Sequence, residues 1–116
     1  MKDNVVQEKS YAFSLSVIGL YRDLLKQNEF VLSKQLLRSG TSIGANVEEA
    51  LAGQSRADFL SKMSIASKEA RESNYWLRLL RDSKILPGEK IEPLLSESQS
   101  LINLLTSIVK TTALKK

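Results

Sequence analysis

Two sets of polar side chains in this sequence are spaced so that they could act together. Arg38, Ser42, Asn46 and Glu49 follow one another at steps of four, four and three, which on a helix places them along one side. Glu69, Glu72 and Trp76 are similarly aligned further along the chain. On facing helices these residues could hold a ligand, or they could pair with one another and fix the helix register. The second use is favoured, because a buried paired charge is far better than an orphaned one and buried polar groups serve as register devices. Glu48, Glu49, Glu69 and Glu72 also raise the question of a dinuclear metal site. Bundles that hold two metals through glutamates add a Glu-x-x-His motif, and this chain has no histidine. Glu69-x-x-Glu72 lies beside Lys68 and Arg71. No metal and no cofactor are therefore expected.

A third set is basic. Lys68, Arg71, Tyr75 and Arg78 follow steps of three, four and three, with Asn74 and Arg81 adjoining. Guanidinium groups fork onto phosphates, and a tyrosine among them can stack on an unpaired base. The plainer reading is a solvated or intersubunit face with Arg78 paired to Asp82, since stripes of this size are common on helices of no special function. Repetition of the patch in an assembly would favour the binding reading through avidity. Trp76 next to Tyr75 adds a constraint: neighbours on a helix are about 100° apart, so the two cannot both face one core. At least one marks a second surface, and the enrichment of these aromatics at interfaces favours a subunit contact over a covered flank.

Composition narrows the chemistry. With no cysteine and no histidine, disulfides, thiolate nucleophiles and the commonest neutral-pH base are all missing. An enzyme would have to rely on carboxylate, lysine or serine chemistry, with Glu49 and Glu69 the first residues to test, and no catalytic residue or small-molecule substrate is assigned. Net charge is +4, and it is uneven: residues 1–54 hold six basic and six acidic side chains, residues 55–84 seven basic and four acidic. The excess suits an acidic partner without resembling a nucleic-acid-binding tail. No apolar run approaches the ~20 residues of a membrane span, and the start of the chain lacks a signal-peptide h-region, so a cytoplasmic protein is expected.

Four amphipathic segments must position these residues. Val6, Phe13, Val17, Leu20 and Leu24 form an alternating four-three stripe with Ser10 in the gap, within a segment from Val5 to Lys26. Gln27-Asn28-Glu29 reads as a turn. A second segment from Val31 or Ser33 to Ala52, with Ser33 as N-cap, keeps Leu36, Gly40, Ile43, Val47 and Ala50 in step. Two glycines one turn apart, Gly40 and Gly44, suggest a neighbouring backbone pressed against that side, and Gly53 suggests a stop. The third segment opens on Ser55 as cap, carries Phe59, Met63, Ala66, Ala70, Leu77 and Leu80, and ends near Arg81. The fourth runs from Glu89 to Ala113, with Pro93 placed in its first turn. The expected fold is one all-α domain over residues 1–116, an antiparallel up-down-up-down, left-handed four-helix bundle.

Residues 35–50, Gln-Leu-Leu-Arg-Ser-Gly-Thr-Ser-Ile-Gly-Ala-Asn-Val-Glu-Glu-Ala, resemble the signature of the 23S rRNA intervening-sequence proteins. Asp58-Phe59, the run Ile65 to Glu72 and Tyr75-Trp76-Leu77 extend the likeness over almost the whole chain. Ala50 departs from the glycine common at that place, which would let the helix run slightly further. The resemblance implies a bacterial bundle that forms a ring-shaped homopentamer, with some members encoded inside insertions in 23S rRNA genes. It also implies a distant link to a retroelement accessory protein that binds nucleic acid and a reverse transcriptase. No catalytic activity comes with it. The expectation is thus a non-enzymatic homo-oligomer offering Lys68, Arg71, Tyr75, Arg78 and Arg81 to RNA, DNA or a nucleoprotein. The rival is a protein-interaction scaffold that never meets nucleic acid.

Overall fold

The computed structural model describes residues 4–115, and among them there is no strand. Four helices follow in order: α1 (Val5–Lys26), α2 (Leu32–Leu51), α3 (Arg56–Asp82) and α4 (Gly88–Leu114). Each packs against two neighbours in the cyclic order α1, α2, α3, α4, with α1 closing on α4. The α2–α3 seam is the most extensive and the α1–α4 seam the least. Paired residues show the directions. Gln7 bonds Glu48 while Val17 meets Gly40, and Lys62 bonds Glu49 while Glu69 meets Arg38. Arg71 bonds Thr106 while Asn74 bonds Ser98, so each of the three pairs of sequence neighbours is antiparallel. Asp23 with Lys90 and Ser16 with Glu97 make α1 and α4 antiparallel as well. The chain runs up, down, up, down in a body of 49 × 23 × 19 Å.

The apolar stripes form the core. Phe13, Val17, Leu24, Leu36, Ile43, Val47, Leu77, Leu80, Ile91, Leu101 and Leu105 are all fully buried. Each such side chain contributes about 1.5–3 kcal/mol by leaving water. Ser10 fills its gap in the α1 stripe and is buried there, its hydroxyl donating to the Gln7 carbonyl at 3.1 Å. Ser73 and Ser98 occupy equivalent core positions on α3 and α4.

The helix ends differ from sequence expectation in three places. Ser33 is not the cap of α2 but lies inside it, fully buried, with its hydroxyl on the Glu29 carbonyl at 2.8 Å. Glu29 does the capping: its carboxylate accepts from the N–H groups of Val31, Leu32 and Ser33 at 3.2, 2.9 and 2.6 Å. A longer acid reaches the orphan donors from outside the helix and adds a negative charge at the positive end of the dipole. The preceding turn presents it, because Asn28 is left-handed (φ 60°) and the N–H groups of Asn28 and Glu29 close back on Leu25 and Leu24. Gly53 follows α2 without a left-handed φ. A Cβ there would stand 3.1 Å from the Ala50 carbonyl oxygen and 3.2 Å from the Asp58 Cβ, so its smallness rather than its conformation is used. Pro93 is the sixth residue of α4, in the second turn rather than the first, and so deprives the Glu89 carbonyl of a helical partner at an exposed position. Ser55 caps α3 as expected, accepting from the Asp58 N–H at 3.1 Å.

The two glycines of α2 face α1, but they meet it differently. A Cβ on Gly40 would lie 2.7 Å from a methyl of the buried Val17, whereas one on Gly44 would stand 3.4 Å from the Ser10 carbonyl oxygen and the Ser14 hydroxyl. Val17 is β-branched and packed on all sides, so it cannot turn away. Gly40→Ala is expected to destabilise by about 1 kcal/mol net, overpacking exceeding the gain in helix propensity. Gly44→Ala should be neutral or up to about 1 kcal/mol stabilising. Urea unfolding of the two variants checks the contrast.

Candidate nucleic-acid interface

Side-chain geometry on α3 is set by its contact with α2. Ser39 and Ser73, both with no exposed surface, share a hydroxyl hydrogen bond of 2.8 Å across the seam. Beside them Arg38 reaches over to α3, donating to Glu69 at 3.2 Å and to Glu72. Glu72 also accepts from the Trp76 indole N–H at 2.9 Å. Lys62 pairs with Glu49 at 2.9 Å further down. Ser42 and Asn46, by contrast, do not cross to α3. The Asn46 amide donates to the carbonyl and hydroxyl of Ser42, 2.9 and 3.1 Å away on its own helix. Only part of the expected interhelical set is thus brought together, and the Arg38 side chain in it is half exposed.

The four carboxylates considered for metal are dispersed: Glu48 accepts from Gln7, Glu49 binds Lys62, and Glu69 and Glu72 share Arg38. Among the described residues no three potential ligands converge on one point.

Trp76 and Tyr75 part company as helical geometry requires. Trp76 packs against the core at the α2 side, half-buried, while Tyr75 is 46% exposed. Their rings meet edge to face with centroids 5.2 Å apart. Lys68, Arg71 and Arg78 are exposed on α3 with Tyr75. The Arg78 guanidinium does not pair with Asp82. It donates to the Asn74 side chain at 2.9 Å and lies 5.7 Å from the centre of the Tyr75 ring, a cation–π distance. Asp82 is taken by Arg81 at 2.8 Å, a bond that raises the guanidinium pKa and holds the carboxyl below its ordinary range. Arg81 therefore carries its own counter-ion, whereas Arg71 donates to a neutral group, the Thr106 hydroxyl of α4, at 3.0 Å.

A model of the family described as 23S rRNA-intervening sequence protein matches residues 2–107. The chain belongs to that family. The resemblance read from residues 35–50 and from the aromatic block of α3 is confirmed, together with its four-helix architecture. A solved structure from Bacteroides thetaiotaomicron, described as a protein with unknown function from the S23 ribosomal protein family, is 50% identical with a TM-score of 0.88. The alignment covers 91% of this chain and 99% of that one. No curated protein sequence matches. Among the described residues of this intervening-sequence protein, no helix is long and apolar enough to cross a membrane.

Sequence reasoning missed three elements around the site: the Ser39–Ser73 bond, the Arg71–Thr106 link to α4, and Lys110, which lines a groove with Arg71. Ser39, three residues after Leu36 and four before Ile43, has the spacing of a core position, but its partner lies on another helix, and the other two depend on how α3 and α4 meet.

The hydrogen bond from Arg38, with a further one from Trp76, holds the Glu72 carboxyl below the usual carboxylate range. A depressed carboxyl adds stability above its unfolded pKa and loses it as pH falls through the folded one. The unfolding midpoint in urea should therefore drop as the pH falls below the ordinary carboxylate value of 4.5, and Glu72→Gln should flatten that part of the profile. At neutral pH the variant should cost roughly 0.5–1 kcal/mol, discounted for the solvent around Arg38.

Proposed function

We propose that this protein is a non-enzymatic, self-associating bundle of the cytoplasm that binds nucleic acid through the outer face of α3. The observation that carries the reading is the composition of that face. Lys68, Arg71 and Arg78 are exposed together with an exposed tyrosine among them, and the acids of α3 that could neutralise them are drawn elsewhere. Glu69 and Glu72 are held by Arg38 on the α2 side, and Asp82 by Arg81. What is left is a row of cations around an aromatic, the arrangement suited to phosphates and to an unstacked base.

Self-association into a ring of five, which the family resemblance implies, would repeat the stripe and supply avidity that one copy lacks. Apolar surface is available for it: Tyr11 is 65% and Leu15 55% exposed, one turn apart on the outside of α1. Trp76 is already committed to its own subunit through Glu72 and Tyr75 belongs to the binding face, so the interface expected at the aromatic pair moves to α1. The same α1 surface supports the second reading, a scaffold that docks a protein partner and ignores nucleic acid.

Electrophoretic mobility shift with a structured RNA should show binding at low salt. Removing one phosphate-binding cation should make the dependence of log affinity on log salt shallower by about 1. Arg71→Glu with Arg78→Glu should weaken binding at least about tenfold. Light scattering should give a mass well above one 13.0 kDa chain. Absence of a shift for the wild type at low salt sinks the nucleic-acid reading. Nuclease-resistant recovery of one specific protein would then favour the scaffold.

A further inference from the structure

The stripe on α3 does not end at the helix edge. Arg71 is also one lip of a shallow groove of about 550 Å³ whose floor and far side are α4. Nine residues line it, and not one is acidic. Two are cations, Arg71 and Lys110, from different helices. The others are mainly amides and hydroxyls, with Gln99, Asn103 and Thr106 nearest in character to base-reading groups. In a protein with thirteen carboxylates, a groove of this size with none is an anion's environment.

The hydrogen bonds inside the groove leave the right groups over. Arg71 spends one N–H on Thr106, which fixes the guanidinium at the lip and keeps the rest of its five donors for an incoming oxygen. Gln99 donates to the Asn103 carbonyl at 3.0 Å. The Gln99 carbonyl and the Asn103 amide N–H groups then have no partner among the described residues, an acceptor and donors side by side. That combination matches the mixed edge of a nucleobase better than it matches phosphate alone. One helical turn along α3 from Arg71, about 6 Å, stands Tyr75, 46% exposed, with the Arg78 guanidinium over its ring.

We infer that the groove between α3 and α4 is the second half of the binding face, and that its ligand is an unpaired strand of RNA or DNA. The backbone passes between Arg71 and Lys110, base edges meet the amides of Gln99 and Asn103, and a base stacks on Tyr75. A duplex has no free base face to lay on Tyr75, because its bases are already stacked on one another. The inference rests on the nucleic-acid reading of α3 and adds Lys110, the strandedness of the ligand and the role of α4.

Fluorescence anisotropy of the full chain with a labelled oligonucleotide of roughly 12 unpaired nucleotides, as RNA and as DNA, tests it beside a blunt duplex of the same length. The single strand should bind more tightly than the duplex. Lys110→Gln should weaken strand binding about tenfold and reduce the salt slope by about 0.7, with helix content by circular dichroism unchanged. Tyr75→Ala should weaken strand binding about tenfold at constant salt slope and leave the duplex unaffected. Lys34→Gln, exposed on α2, should bind as the wild type does. If Lys110→Gln binds normally while Arg71→Gln and Arg78→Gln lose affinity, the groove is overturned and the stripe survives. Equal affinity for strand and duplex, with Tyr75→Ala silent, also overturns it. No binding of any probe removes the stripe reading and this one with it.

Discussion

The outward faces of α2 and α3 are aimed by the seam between them, and at its middle lies one small contact, the hydroxyl pair Ser39–Ser73. Both side chains are wholly buried, so any slip of one helix along the other parts the pair; Ser39 keeps the Leu36 carbonyl at 3.5 Å, while Ser73 loses its partner at about 1–3 kcal/mol. Arg38 with Glu69 and Glu72, and Lys62 with Glu49, then clasp the same register from the outside, where solvent reduces what each is worth. With the register and rotation of α3 set this way, Trp76 turns toward α2, Tyr75 turns out, and Arg71 reaches α4.

That rotation also sorts charge. The acids at the middle of α3 fall on the α2 side and meet Arg38, while Arg71 and Arg78 fall on the far side and find neutral partners, Thr106 and Asn74. A modest net charge of +4 is thereby converted into a local field. The sorting is finest at the helix end, where Arg81 and Asp82, adjacent in sequence, cancel one another.

How much of this was legible follows from what each feature depends on. The helices were readable because apolar residues recur at helical spacing, and even Ser10 was predictable as the occupant of a core position. Ser39 has core spacing too, three after Leu36 and four before Ile43, but Gly40 beside it fits the stripe equally well and the partner of Ser39 lies in another helix. Arg38, Ser42, Asn46 and Glu49 shared a face as expected, but Asn46 found a nearer acceptor on Ser42 than anything α3 offered. Spacing reveals which residues are neighbours on one helix; it does not reveal which of them wins a partner across a seam. The α2 cap shows the same limit. Serine is the commoner N-cap, yet the left-handed turn at Asn28 delivers the carboxylate of Glu29 first. Lys110 stayed hidden for a different reason, because its significance comes from Arg71 across the groove and not from its own helix.

The closing seam between α1 and α4 is the least extensive of the four, bridged by Ser16 with Glu97 and by Asp23 with Lys90, and Gly19 beside it has open space where a side chain would be. Because these helices are antiparallel, the start of α1 and the finish of α4 share one end of the molecule. Tension applied between those two points would load the seam like a zipper, one turn at a time, instead of shearing it along its length. The load thus falls first on the seam with the least packing, while the α2–α3 hairpin with its hydroxyl pair lies farthest along the chain from the points of attachment.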